Sequence, residues 1–195
     1  MRVVSVTREH LPRLHALFEA ASSSCYCRYW HFRGNKNEWL DRCAHRPEES
    51  RAELDEAVTE GRDDGRGLVA LAEDGRTVLG WMKLTPRTAV PKLRSLPVYR
   101  MLALGDDSAT MSVGCFLVHP EHRKKGVARA LLEGAEAVAR ALGASAIEGY
   151  PRQSSEPLHD EEAWQGPVDL FAACGFEHVA GEPPYPVYRK VLARE

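Results

Sequence analysis

The stretch Val118-His119-Pro120-Glu121-His122-Arg123-Lys124-Lys125-Gly126-Val127-Ala128 decides the fold of this 195-residue chain. It takes an apolar strand through a basic, glycine-containing turn into an amphipathic helix. The first backbone N–H groups of a helix have no partners and carry partial positive charge, so a phosphate bound there gains hydrogen bonds and dipole attraction. Gly126 allows close approach of the main chain, and the neighbouring basic side chains add positive charge. The stretch therefore predicts an anion cradle.

The segments after the cradle predict a helix, a strand and a second helix. Apolar residues recur at three- and four-residue steps from Val127 to Leu142, which is typical of an amphipathic helix, and Gly143 closes it. The segment 144–150 reads as a strand that Pro151 stops. The run 169–176 reads as a second helix ending in Gly-Phe.

The spacing R-x-x-G-x-A after V-H-P, followed by helix, strand, helix and G-F over 111–176, resembles the GNAT N-acetyltransferase superfamily. The resemblance implies an α/β fold, with a mixed, mostly antiparallel sheet flanked by helices and splayed central strands, in one domain over 1–195. It also implies direct transfer of an acetyl group from acetyl-CoA to a primary amine of a small molecule or peptide. By the same resemblance the cofactor-binding residues are Phe116, Leu117, Val118, Arg123, Lys124, Lys125, Gly126, Val127 and Ala128.

The rest of the chain supplies the other elements of such a fold. The patterns predict a first strand over 2–6, a helix capped by Thr7 and ending near 22–24, and a helix over 49–59. They also predict a hairpin of strands 68–72 and 77–84 around a D-G turn, and two last strands over 176–180 and 187–192.

Composition and charge limit the function classes. The chain is 44% hydrophobic and 28% charged, as is ordinary for a globular enzyme, and its net charge of −2 argues against a general nucleic-acid-binding surface. No apolar run approaches the roughly 20 residues that span a bilayer, and the N-terminus lacks the apolar region of a secretory signal. We therefore expect a cytoplasmic protein with neither nucleic-acid nor membrane partners. A homodimer through a sheet edge or the long loop stays open.

The acid and the base are harder to assign. Many superfamily members carry a tyrosine four residues before the glycine of G-F and a glutamate on the strand before the cradle. Here the first position is Phe171, and the strand has no glutamate. Glu148, on the neighbouring strand, is the first choice for the base, because a partly buried carboxylate can have a raised pKa. Tyr150 is the candidate acid, and His31 or His119 could replace either one.

A cysteine near the thioester suggests a second chemistry, an acetyl-cysteine intermediate on Cys115. No histidine or lysine that would lower its pKa is evident beside it in the sequence. We therefore favour a small strand residue that packs under the cofactor.

Acceptor-binding residues are expected in three segments. The hexapeptide 25–30 (Cys-Tyr-Cys-Arg-Tyr-Trp) resembles a GNAT subgroup with C-x-C-x-x-W near the first helix, which makes Tyr26 and Trp30 candidates. The long connection 86–110 offers Arg87 and Arg94, with Lys92 and Tyr99. The acidic segment 153–165 could attract a cationic amine.

Two other function classes compete with the enzyme. The missing tyrosine and strand glutamate suggest a sensor that binds acyl-CoA without transferring the acetyl group. A zinc-dependent interaction domain would use the cysteines and histidines near the first helix, but their spacing lacks paired C-x-x-C, so we expect reduced thiols and no metal. The residues of that set are Cys25, Cys27, Cys43, His31 and His45.

Overall fold

The computed structural model describes residues 1–156, 158–159 and 162–193. Its sheet has seven strands: β1 (Arg2–Ser5), β2 (Gly67–Leu71), β3 (Val78–Pro86), β4 (Thr110–Val118), β5 (Ala146–Gly149), β6 (Glu177–Ala180) and β7 (Val187–Val191). The spatial order is β1-β2-β3-β4-β5-β7-β6, and every neighbouring pair is antiparallel except β4 and β5. This confirms the predicted mixed, mostly antiparallel sheet.

Helices cover both faces of the sheet. They are α1 (Leu11–Ala20), α2 (Lys36–His45), α3 (Pro47–Thr59), α4 (Lys92–Ser95), α5 (Pro97–Arg100), α6 (Val127–Ala141) and α7 (Val168–Ala173). One core cluster joins α6 and α7 to the sheet through residues such as Leu131, Ile147 and Phe171. A second joins α1 and α3 to the opposite face through Leu14 and Trp81, among others. No helix within the described ranges is both long and apolar enough to cross a membrane.

The central strands β4 and β5 separate partway along their length. They pair only from Thr110 with Ala146 to Val113 with Gly149, after which β4 runs on to Val118 paired with β3 but not with β5. The pairing of β4 with β3 is irregular at the same point, since Lys83 faces Cys115 and Leu84 faces Val113. A residue inserted in this way locally bends a strand. The bulge at Gly114 thus marks the start of the splayed gap that the resemblance implies.

The predicted elements match the observed ones, with ends that differ by three residues at most, but two segments differ. The helix α2 was not predicted, because only Trp39 and Arg42 of its side chains are buried and no apolar stripe marks it. The long connection 86–110 contains two short helices, α4 and α5. The helix predicted from residue 49 begins at Pro47, in keeping with the preference of proline for the first helical turn.

Candidate active site

The predicted anion cradle forms one wall of an open groove between β4 and α6, which we call the β4–α6 groove. Its volume is about 360 Å³, and α7 with the turn before it forms the opposite wall. The described lining residues are Phe116, Leu117, Val118, His122, Arg123, Lys124, Gly126, Val127, Ala128, Arg129, Ala163, Trp164, Gly166, Pro167 and Leu170. The structure thus brings together every predicted cofactor-binding residue except Lys125, which is exposed.

The backbone at the mouth of the groove suits an anion. Gly126 has φ +81°, and a side chain built there would meet no heavy atom within 4 Å, so the glycine leaves open space beside the helix end. Lys124 also has positive φ, at 58°. The first helical hydrogen bond of α6 runs from the Ala130 N–H to the Gly126 carbonyl, and the N-cap residue Gly126 has no side chain that could accept from the amides that follow it. The amides of the first turn are therefore open to a phosphate.

Two further cavities adjoin the inner end of the groove, and Trp164 lines all three spaces. The "thiol cavity", about 330 Å³, is lined by Cys25, Cys27, Tyr29, Trp30, Trp39, Cys115 and Trp164. The "aromatic cavity", about 340 Å³, is lined by Tyr29, Trp30, Leu96, Pro97, Val98, Tyr99, Arg152, Glu162, Trp164, Gln165 and Tyr185. The thiol cavity and the aromatic cavity therefore each share the Trp164 side chain with the groove.

Trp30 connects the loop before α2 to β4. Its indole N–H donates to the Gly114 carbonyl at the bulge, and its ring contacts those of Tyr99, Tyr150 and Trp164. The same loop is held from its other side by Arg28, whose Nη1 donates to the Asp64 carbonyl at 2.8 Å. The structure therefore places Trp30, a candidate acceptor-binding residue, on the wall of both the thiol cavity and the aromatic cavity.

Tyr26 has a different position from the one expected for an acceptor-binding residue. It is buried in the core, where it stacks on Phe18 with ring centroids 4.7 Å apart. It does not line any of the three spaces around Trp164 within the described chain. Its burial among residues of α1 leaves it no surface for an acceptor, and its backbone has a positive φ of 45°.

Arg87 and Arg94 lie apart from the β4–α6 groove, the thiol cavity and the aromatic cavity. They line a separate cavity of about 200 Å³ beside α4 and α5. Asp107 binds both, accepting from Arg87 Nε at 2.7 Å and from Arg94 Nη2 at 2.7 Å. Arg87 also donates to the carbonyls of Leu104 and Gly105. These contacts fold the long connection, which explains why the two guanidinium groups do not face the β4–α6 groove.

Glu148 is a fully buried carboxylate held by two arginines. Its Oε1 accepts from Arg87 Nη1 at 2.8 Å and from Arg189 Nε at 2.8 Å, and its Oε2 accepts from the Tyr150 hydroxyl at 3.0 Å. This contradicts the expectation of a partly buried carboxylate available as a base, because a proton on it would displace charged donors. Sequence reasoning missed Arg189, which reaches Glu148 only through the register of β5 with β7.

Tyr150 is enclosed with Glu148. Its hydroxyl lies 2.8 Å from Ser112 Oγ, and burial, followed by the charge of Glu148, raises its pKa well above the usual range. A phenol with a raised pKa gives up its proton less readily. Tyr150 does not line the β4–α6 groove in the described chain, which disfavours the predicted role of acid.

Lys83 is a buried cation that the sequence analysis overlooked. It faces Cys115 across the β3–β4 pairing, so a lysine does lie beside this cysteine, contrary to the sequence-based argument. Its Nζ donates to the Asp64 carbonyl, and burial lowers its pKa to about 7. The only sequence signal was a charged residue within an otherwise apolar strand.

The two alternative histidines occupy distinct settings. His31 is largely buried with Nδ1 2.8 Å from the Ala89 carbonyl, and burial lowers its pKa to about 3. His119 lies at the cradle, where possible ligand atoms of His119, Glu121 and His122 all fall within 4.8 Å of one another. Within the described residues, the cysteines and histidines near α1 and α2 that were weighed as a zinc site do not form a group of this kind.

The segment 153–165 was expected to attract the acceptor by its negative charge, but the residue that it places on the wall of all three spaces is Trp164. Glu162 pairs with Arg152 at 2.9 Å on the edge of the aromatic cavity. Asp160 and Glu161, part of the same prediction, lie outside the described residues. Sequence reasoning missed Trp164, although an isolated tryptophan in a long loop was the available signal.

The splayed sheet, the glycine-containing helix start and the groove between them define an acyltransferase fold. The family model for the acetyltransferase (GNAT) family matches residues 24–161. The chain belongs to this family and is an acyltransferase of the GNAT type. Comparison with curated protein sequences found no match.

Solved structures show the same fold at low sequence identity. The PaiA N-acetyltransferase from Thermoplasma acidophilum, in complex with coenzyme A, has a TM-score of 0.57 and 13% identity, covering 98% of this chain and 99% of its own. The ribosomal-protein-alanine N-acetyltransferase from Brucella melitensis has a TM-score of 0.56 and 17% identity, covering 98% and 100%. The yncA structure from Salmonella typhimurium, with acetyl-CoA, has a TM-score of 0.52 and 16% identity, covering 100% and 95%.

Proposed function

We propose that this protein transfers an acetyl group from acetyl-CoA directly to the primary amine of a small molecule or peptide. The observation that carries the proposal is the arrangement around Trp164, a residue that lines the β4–α6 groove, the thiol cavity and the aromatic cavity. A cofactor in the groove and an acceptor in a cavity that shares a lining residue with it are held near each other, and such proximity favours direct transfer.

The groove suits acetyl-CoA at both ends. The amides of Lys124 to Ala128, with the side chain of Arg123, would hold the pyrophosphate at the start of α6. The β4 backbone from Phe116 to Val118, which has no pairing with β5, would hold the pantetheine arm. Calorimetric titration of the protein with acetyl-CoA, dephospho-CoA and pantetheine tests this mode of binding. We expect the affinity to fall when the pyrophosphate is absent.

A main-chain N–H beside the bulge would polarise the thioester carbonyl when acetyl-CoA is bound, which lowers the cost of the oxyanion in the transition state. The acceptor must attack as a free amine. We propose that Glu148 and Tyr150 position the splayed strands and that the ammonium proton leaves to water. On this proposal the rate rises with pH until the acceptor itself is deprotonated.

A matched pair of glycines tests the cradle. Gly126 and Gly143 lie at opposite ends of α6, have φ of +81° and +76°, and leave open space for a side chain. Both valine variants therefore carry similar backbone strain, on the order of 1–2 kcal/mol. Gly126→Val should lose at least tenfold in acetyl-CoA affinity, while Gly143→Val should bind normally. Equal affinities in two folded variants would refute the cradle.

Turnover separates the enzyme from the acyl-CoA sensor. The sensor is favoured by one observation, the capture of Glu148 by two arginines. Release of CoA thiol that depends on an added amine supports the enzyme. Tight acetyl-CoA binding without thiol release across a broad panel of amines would support the sensor instead.

A further inference from the structure

Two cysteines from distant parts of the chain meet in the wall of the thiol cavity. Cys27 lies in the loop between α1 and α2, and Cys115 follows the bulge in β4. Their Sγ atoms are 2.7 Å apart, and both residues are buried. A disulfide bond is about 2.05 Å long, so bond formation requires sulfur movements smaller than 1 Å. We propose that Cys27 and Cys115 form a reversible disulfide that fixes the α1–α2 loop to β4.

The loop is built to present Cys27 at this position. Tyr26 and Cys27 both have positive φ, 45° and 51°, a conformation that non-glycine residues keep only when surrounding contacts impose it. Arg28 supplies one such contact through Asp64 Oδ2 at 2.6 Å, and Trp30 supplies another through the Gly114 carbonyl. The thiol is thus anchored on its C-terminal side by two side chains that bind different elements.

A third thiol gives the pair a route to solutes. Cys25 lies two residues earlier, is half-buried, and its Sγ accepts the Cys27 N–H at 3.4 Å. All three cysteines line the same cavity, so a small oxidant that enters it reaches the pair. A small thiol that enters the same cavity can attack the disulfide, which leaves one free cysteine and one mixed disulfide. A second thiol then attacks the mixed disulfide, the two small thiols leave as their own disulfide, and the pair returns to its dithiol form.

The oxidation balances with a hydroperoxide as the two-electron oxidant. The sulfur of one cysteine attacks the peroxide, the O–O bond breaks, and a sulfenic acid and an alcohol or water are formed. The second sulfur then attacks the sulfenic sulfur, the S–O bond breaks, and water leaves. Burial raises the pKa of the Cys27 thiol, while the charge of Lys83 acts in the opposite direction. The thiol proton passes to the oxygen that leaves as alcohol or water, so the step balances without a separate base.

The consequence for turnover rests on the proposed function. The thiol cavity lies between the α1–α2 loop and β4, so a bond between them fixes its width. We expect the oxidised protein to show a rise of about tenfold in the KM for an acceptor that uses this cavity. The affinity for acetyl-CoA should be unchanged, because neither cysteine lines the β4–α6 groove.

The test is peptide mapping of the full chain after native treatment with hydrogen peroxide. We expect the loss of two hydrogen atoms, reversed by dithiothreitol, and a cross-link between tryptic peptides 14–28 and 101–123. Because peptide 14–28 contains both Cys25 and Cys27, variants complete the assignment. Cys27→Ser and Cys115→Ser should abolish the cross-link. Cys25→Ser should keep it, and so should the control Cys174→Ser, whose cysteine packs against the opposite face of the sheet.

Each outcome bears on the proposal. Addition of oxygen without a cross-link, or a cross-link that survives Cys27→Ser, would overturn the assigned pair. If a serine variant does not fold, fragmentation of the wild-type cross-linked peptide identifies the bonded cysteine directly. A disulfide that leaves the acceptor KM unchanged would overturn its effect on the cavity. Because the mass measurement needs no turnover, a disulfide in a protein that acetylates no amine would count against the proposed function alone.

Discussion

The replacement Glu148→Gln distinguishes a structural carboxylate from a catalytic base. The glutamine keeps the shape of the side chain and removes its charge. Arg87 keeps Asp107 as a partner, but Arg189 loses the carboxylate to which it donates through both Nε and Nη2. Breaking a buried ion pair in this way costs about 3–5 kcal/mol. The surviving Arg87–Asp107 pair favours the lower value, about 3 kcal/mol.

This loss is large enough to measure by thermal unfolding. For a chain of this size, each kcal/mol lowers Tm by about 2–4 °C, so Glu148→Gln should melt roughly 6–12 °C below the wild type. The matched control is Arg94→Gln, which breaks an exposed pair with Asp107 and should cost at most about 1 kcal/mol.

Acetyl transfer by the folded variant completes the test. If Glu148 only positions the strands, kcat measured well below the Tm should fall by less than about tenfold, whereas loss of a general base typically costs about 10²–10⁴-fold. A Glu148→Gln protein with wild-type Tm, a hundredfold lower kcat and an altered pH profile would refute the structural role.

Three further changes probe the cavities and the buried groups. Trp164→Ala removes the side chain that the β4–α6 groove shares with both cavities, so the acceptor KM should rise about tenfold. The Tm should fall as well, because the ring packs on Tyr29 and Trp30, and an unchanged KM in steady-state kinetics well below the Tm would contradict a role at the site. Lys83 has a folded pKa of about 7 against an ordinary value of 10.5, so the unfolded state binds more protons between these pH values and stability rises with pH. Urea unfolding at pH 7 and 8.5 should show this rise, up to about 1.4 kcal/mol per pH unit, and Lys83→Met should abolish it; an identical rise in the variant would contradict the assignment. Gly149→Ala places a methyl group 2.1 Å from Cε1 of Phe171, whose ring is held between those of Phe116 and Phe176. The variant should therefore be destabilised by about 1–3 kcal/mol. A Tm equal to that of the wild type would show that the ring can move.

The elements after the cradle were predictable because their patterns are strong. The apolar residues from Val127 to Leu142 form a stripe that keeps one helical period throughout, and the helix ends just before Gly143, as predicted. The helix α2 lacked such a stripe, because it buries a tryptophan and an arginine among polar residues. Hydrophobic periodicity indicates the buried face of a helix only where that face consists of apolar residues.

The candidate site divides in the same way. The residues that β4 and α6 contribute to the β4–α6 groove lie close together in the sequence. Nearly all of them could therefore be predicted from one motif. The environments of Glu148 and Cys115 depend on strand register, which brings Arg189 and Lys83 from 41 and 32 positions away. Spacing along a chain carries no information about such partners. That is why a carboxylate expected to move protons is held by two arginines, and why a thiol expected to stand alone faces an amine.

The hydrogen bond from the Trp30 indole to the Gly114 carbonyl has a consequence for how this protein can be re-engineered. The loop that would choose the acceptor also fixes the strand segment beside the thioester. Exchanging the loop for one from another family member would therefore disturb the reaction centre together with the specificity. A substitution selected for its effect on acceptor specificity would therefore also change the geometry at the thioester, and the reverse holds as well.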